Sequence, residues 1–263
     1  MIAEPPVPSS TVCAGLFFRG VLPAFEDFLK FDEGARRILG SSEGEVLFTN
    51  LEGSRACLCF SGGAAEWSDV EAGDPVIHID LGSEAKTVRF IRGGIAIPTI
   101  RRGWTHPVFL LKLLRLFLRF QRYLKPPAKC LQDADFRILH VRLALAVALF
   151  SLAEISREDP WARKMLEGCP QGRVDFRVEG EDLTASIEKT AGGLRPYRGV
   201  RDHQEADVSV IFASPKVAME ILTQKSDSHA AVATGDIRVE GLVPLADGIN
   251  HVLDRVARYL PSS

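Results

Sequence analysis

"GDIRVEGLVPLADGINHVLDRVARYL", residues 235–260, sets a short alternating run between two glycines and follows it with a helical pattern. Ile237 and Val239 point one way while Asp236, Arg238 and Glu240 point the other, which is the period-two signature of a half-buried strand. The helical pattern places Leu245, Ile249, Val252, Leu253, Val256 and Leu260 on one side and Asp247, Asn250, Asp254, Arg255 and Arg258 on the other. One strand and one helix each carry an apolar face that something must cover.

Reading upstream extends the pattern. "RVDFRVEG", "TASIEKT" and "DVSVIFA" read as strands, with hairpins expected at the "EGED" and "AGG" turns. Ser214 is a good N-cap for the helix "PKVAMEILTQ", and Pro215 belongs in its first turn. A helix around "PWARKMLEG" and a long apolar one through "RILHVRLALAVALFSLAEI" come first. Helices then strands then helices give an α+β order.

The same order occurs earlier in the chain. "DEGARRILGSSEGEVLF" from Asp32 matches "DPWARKMLEGCPQGRVDF" from Asp159, with Ala35, Arg36 and Leu39 falling on Ala162, Arg163 and Leu166. After one inserted residue Gly44, Val46 and Phe48 fall on Gly172, Val174 and Phe176; Gly62 and Gly63 land on Gly192 and Gly193; Tyr123 and Leu124 land on Tyr259 and Leu260. A unit this long is a domain rather than a solenoid repeat. Two tandem domains are expected, residues 1–127 and 128–263. In the first, Pro98 and Pro107 would disturb a central strand or open a helix.

The 263 residues are 46% hydrophobic and 25% charged, the balance of a globular protein. A net charge of -2 gives no global attraction to nucleic acid, so no nucleic-acid partner is expected. Cys13, Cys57, Cys59, Cys130 and Cys169 are odd in number and scattered, which fits a reducing cytoplasm better than a disulfide framework. "MIAEPPVPSSTVC" lacks the basic start and apolar run of a signal peptide. Leu143 to Ala153 is uncharged over only about half the length of a bilayer crossing, and no span is expected.

Catalytic and metal-binding constellations are weak. Cys57 and Cys59 share a strand face, but a structural metal wants four ligands, and buried small apolar residues is the simpler account. His78 with Asp80, Asp202 with His203, and "KSDSH" around His229 lack a nucleophile in a recognisable setting. Neither "GGIAIP" nor "SGGAAEW" is a phosphate loop. No metal, no cofactor and no enzymatic activity are expected.

"ADVSVIFASPKVAMEILTQKSDSHAAVATGDIRVEG", followed by an amphipathic helix, resembles the sterol carrier protein-2 family of lipid-binding domains. The resemblance is carried by Ala206 and Asp207 opening a strand, the Gln224–Lys225 step after a helix, and the glycine-flanked strand Gly235, Ile237, Val239, Gly241. It covers about residues 140 to 260 and extends more weakly to the first copy. It implies a five-stranded, mainly antiparallel sheet covered by helices, an apolar tunnel for fatty acyl, sterol-like or isoprenoid and quinone-like molecules, and no catalytic residues. The residues expected to line it are Ile221, Leu222, Ile237, Val239, Leu245, Ile249, Val252, Leu253 and Val256.

The helix from Val108 to Leu124 has Lys112, Arg115, Arg119 and Arg122 within an arc of about 80° and is otherwise almost wholly Leu, Phe or Val. That is more apolar surface than a core stripe needs. The excess has three uses: a seam between the copies with the cations as its wet edge, a tunnel wall, or a peripheral contact with an anionic membrane, as interfacial helices make. An interaction protein with filled cores, using this helix for a partner or a homodimer, is the alternative to a lipid carrier.

Overall fold

The pairing of the strands decides the architecture. The computed structural model describes residues 9–70, 73–91, 97–199 and 205–260, without the side chain of His229. Strands β1 (Gly44–Thr49), β2 (Arg55–Ser61), β3 (Ala64–Ser68), β4 (Ile77–Asp80) and β5 (Thr99–Arg102) form one sheet in the order β3-β2-β1-β4-β5. Strands β6 (Gly172–Val178), β7 (Thr184–Thr190), β8 (Gly193–Arg198), β9 (Val208–Phe212) and β10 (Ile237–Gly241) form the second, in the order β10-β9-β6-β7-β8. Read from the other edge, the second order is that of the first.

The directions agree as well. In each sheet the two hairpin pairings and the outer pairing are antiparallel, and the pairing of the first with the fourth strand is parallel. Val46 opposes Ile77 across the parallel pairing of the first sheet, and Val174 opposes Val208 in the second. The fold is α+β, with two mixed sheets that are mainly antiparallel. Pro98 precedes the edge strand β5 and Pro107 opens the helix that follows, so neither proline interrupts a central strand.

Helix α1 (Ser10–Leu16) runs into a π-helical turn (Phe17–Val21) and then α2 (Ala24–Phe31) and α3 (Glu33–Leu39). After the first four strands come α4 (Glu84–Ile91) and, beyond β5, α5 (Pro107–Leu124). Helices α6 (Ala134–Glu158) and α7 (Pro160–Glu167) precede β6, and α8 (Pro215–Leu222), α9 (Ser228–Thr234) and α10 (Val243–Tyr259) complete the chain.

Two apolar cores result. The first packs Phe25, Phe28, Phe60 and Phe120 behind the first sheet, with Phe25 meeting the other three edge-on at centroid distances of 5.2, 6.0 and 5.1 Å. Aromatic pairs in such geometries contribute about 0.5–1.5 kcal/mol beyond burial. The second core gathers Val174, Phe176, Ile187, Ile237, Leu245, Ile249 and Val252, and it also takes Val12, Cys13 and Leu16 of α1. The N-terminal helix therefore packs into the core of the C-terminal sheet.

Helix α6 lies between the cores. Leu139, Leu143 and Ala146 join the first, while Val141, Leu145, Leu149, Leu152 and Ile155 join the second. By length and composition alone it could cross a membrane, and 67% of its most apolar window is buried inside the protein. Gly20 lets the π-helical turn approach it closely, because a Cβ there would lie 3.2 Å from the Ser151 Cα. Ion pairs add to the seam: Arg19 Nη1 donates to the buried Glu154 at 3.1 Å, and Arg198 of β8 donates to Asp27 Oδ2 at 3.1 Å and to the Pro23 carbonyl at 2.7 Å. Burial raises the Asp27 carboxyl above the usual carboxylate range, with Arg198 pulling against it.

Each copy fastens its last helix in the same way. Asp32 caps α3 by accepting from the Ala35 N–H, and Arg119 of α5 donates to both its oxygens at 2.6 and 2.9 Å. Asp159 caps α7 by accepting from Trp161 and Ala162, and takes Arg255 Nε at 2.9 Å and the Tyr259 hydroxyl at 2.8 Å from α10. Tyr123 stands by Asp32 as Tyr259 does by Asp159. Burial would push both carboxyls up, but the bonds from Arg, Tyr and the capped N–H groups outweigh it and hold both below the ordinary range.

Candidate functional site

A cavity of about 610 Å³ opens where the two copies meet. Its first-copy wall is Val21, Ile91 and the end of α5 with Leu124, Lys125 and Pro126. Ala144, Val147 and Ala148 of α6 form another side; small residues there leave the space that leucines would fill. The second copy contributes Met219, Ile221 and Leu222 of α8 and Leu253, Val256, Ala257 and Leu260 of α10. Its polar lining runs from Thr223 to Ser228 with Asn250 and Asp254, together with Lys125 and His140. A space with apolar walls and a few polar lining groups suits a largely apolar molecule with a polar group.

Of the nine residues expected to line a tunnel, Ile221, Leu222, Leu253 and Val256 border this cavity. Ile237, Leu245, Ile249 and Val252 are instead buried at 4% exposure or less in the second core, and Val239 packs against that core. The inner face of α10 is filled because α6, α7 and the sheet close directly on it. The apolar space arises one step further round the helix, where the copies join.

His140 of α6 also borders the cavity and is almost wholly buried. Its Nδ1 lies 2.7 Å from the Tyr123 carbonyl, an arrangement that makes Nδ1 the protonated nitrogen. Burial, helped by the charge of Lys225, lowers its pKa, against the opposing pull of the Tyr123 carbonyl. A depressed histidine costs nothing while both states are neutral, so its effect begins as pH falls through about 6.5, where the unfolded chain takes a proton that the folded protein refuses. Stability should therefore decline from about pH 6.5 downward, and His140→Gln should flatten that part of the curve. Urea unfolding of both proteins at several pH values checks this; parallel curves would remove His140 as a contributor.

The basic stripe of α5 is placed differently from the expected wet edge. Lys112 Nζ donates to the Leu39 carbonyl at 2.9 Å and to Ser42 Oγ at 2.8 Å, and Arg119 is bound to Asp32. Arg122 contacts Cys130 Sγ at 3.0 Å and lies over the Phe136 ring, whereas Arg115 is exposed. Two of the four cations thus clamp α5 to α3. The helix turns Leu111, Leu114 and Leu118 outward instead.

The remaining candidates sit apart from the cavity. His78 Nε2 lies 2.9 Å from Thr49 Oγ1, and Asp80 is held by Arg101 Nε and Nη2 at 2.9 and 2.5 Å. Burial lifts the Cys57 thiol to about 11, which keeps it protonated and unreactive. Among the described residues no group of three or more His, Cys, Asp or Glu could hold a metal. Asp202 and His203 lie outside the described residues, as does the side chain of His229.

No family model matches the sequence, and no curated protein does. Solved structures do. The chain is similar to sterol carrier protein 2 domains over about two fifths of its length. A sterol carrier protein domain 2 from Helicoverpa armigera is 17% identical and aligns over 43% of this chain and 88% of its own, with a TM-score of 0.32. The apo form of sterol carrier protein 2 from Yarrowia lipolytica is 15% identical over 39% of this chain and 91% of its own, with a TM-score of 0.30. The sec-alkylsulfatase Pisa1 from Pseudomonas sp. is 12% identical over 66% of this chain and 30% of its own, with a TM-score of 0.26.

Proposed function

We propose that the protein binds a long apolar molecule without transforming it, in the cavity at the seam of the two copies. The cavity itself carries this reading: about 610 Å³ with Leu, Ile, Val and Ala walls and a few polar lining groups. That volume lies within the range of about 300–1,000 Å³ typical of small-molecule sites. Burying an apolar chain contributes about 25 cal/mol per Å², so a fatty acyl, sterol-like or isoprenoid ligand needs few polar contacts. Selectivity among such ligands would be loose. The division into 1–127 and 128–263 belongs to the same proposal, with α1 as an arm from the first copy to the second.

Filling the cavity tests the reading. Leu253 borders the space from α10 and is only partly buried, so Leu253→Trp can turn its ring into the cavity. Uptake of a fluorescent long-chain fatty acid should weaken about tenfold or more, the equivalent of about 1.4 kcal/mol, with the melting temperature nearly unchanged. Val252→Trp should behave in the opposite way, because Val252 is fully buried in the filled core and an added ring there costs about 1–3 kcal/mol of stability. Equal uptake by wild type and Leu253→Trp would refute the site.

A further inference from the structure

The outer face of α5 is apolar and, among the described residues, uncovered. Val108, Leu111, Leu114 and Leu118 are 67, 50, 56 and 58% exposed, and Trp104, just before the helix, is 71% exposed. At about 100° per residue the four helical positions fall within an arc of about 120°, and Arg115 and Arg122 lie inside that same arc. The helix cannot roll this face inward while Lys112 and Arg119 are tied to α3 on its other shoulder.

Charge says what could cover it. Between Glu84 and Asp133 the chain has no Asp or Glu at all and eleven Lys or Arg, although the whole protein is slightly acidic. A second copy of the same face is a poor partner, since a two-fold contact would bring Arg115 and Arg122 against their own counterparts. Exposed leucines with arginines among them and a tryptophan at the edge match the boundary between anionic headgroups and acyl chains. We infer that the outer face of α5, from Trp104 to Arg122, docks the protein on an anionic lipid surface. The docking is independent of ligand binding, although α5 ends at Leu124 in the cavity wall and so joins the two sites.

Flotation with phosphatidylcholine vesicles, alone or mixed with phosphatidylglycerol, tests this on the full chain. The wild type should float with the mixed vesicles and should lose most of that binding in high salt or with phosphatidylcholine alone. Arg115→Gln should lower partitioning about fivefold, as one cation near an anionic surface does. The pair Leu114→Ser and Leu118→Ser should lower it at least tenfold, while Leu51→Ser, at an exposed leucine on the turn between β1 and β2, should leave it unchanged. Circular dichroism confirms that each variant is folded. No flotation of the folded wild type, or flotation indifferent to the paired serines, would overturn the inference. So would a concentration-dependent dimer that the same serines dissolve, because the face would then belong to a second copy.

Discussion

Asp159→Ala should destabilise the protein by about 3–5 kcal/mol, far more than the corresponding Asp32→Ala. Arg255 and Asp159 are each 2% exposed in their side chains, so removing the carboxylate leaves a guanidinium with no access to water. Breaking such a pair costs about 3–5 kcal/mol when the surviving charge stays buried. The loss also releases the Tyr259 hydroxyl and the capped N–H groups of α7. In the first copy Arg119 is 37% exposed, and water can replace the missing partner. Asp32→Ala should therefore cost about 1–2 kcal/mol, mainly the lost cap and a weak ion pair. Urea unfolding measures both. Equal losses would show that burial does not set the energy of these clamps.

The two glycines that frame β10 should respond very differently to alanine. Gly241 has a φ of +101°, and a Cβ there would overlap the Asp207 carbonyl oxygen and lie 3.0 Å from its carbon. Backbone cannot swing aside as a side chain can, and the same carbonyl already accepts the Leu242 N–H at 2.8 Å. Gly241→Ala must displace β10 from β9 or lift the start of α10, and we expect a loss of at least 3 kcal/mol, the upper end of the cost of a strained backbone position. Gly235 also has positive φ, at +83°, but an added Cβ meets nothing within 4 Å. Its alanine variant should lose only about 1–2 kcal/mol, the left-handed penalty alone. Thermal unfolding of the two variants decides it, and a Gly241→Ala protein as stable as Gly235→Ala would contradict the geometry.

These sites show what the sequence could convey. Alternation around Ile237 and Val239, the turn glycines and the Ser214–Pro215 start are local signals, and they led directly to β10, the hairpins and α8. Asp32 with Asp159 and Tyr123 with Tyr259 stood out as matched pairs. Arg119 and Arg255, each four residues before its tyrosine, complete the clamp and carried the same signal at the same spacing. Residues matched across copies and placed one helical turn apart could have revealed it.

Two features were not legible. On α5 apolar residues occupy almost every direction, so the spacing could not say which arc faced inward. Asp32, Ser42 and the Leu39 carbonyl decided it by receiving Arg119 and Lys112, and those contacts span 70 to 87 residues of chain. The cavity was equally hidden. Ala144, Val147 and Ala148 read as ordinary core positions, and the void follows from how α8, α10 and the end of α5 pass them. Within a single copy the inner face of α10 is packed, which is why Ile237, Leu245, Ile249 and Val252 fill a core while Leu253 and Val256 border the open space.

Native mass spectrometry of the intact protein after incubation with a long-chain fatty acid tests the central claim most directly. One fatty acid per chain should be retained by the wild type and none by folded Leu253→Trp. A wild type that stays at the mass of the bare chain, or a Leu253→Trp variant that retains the fatty acid as well as the wild type does, would contradict it.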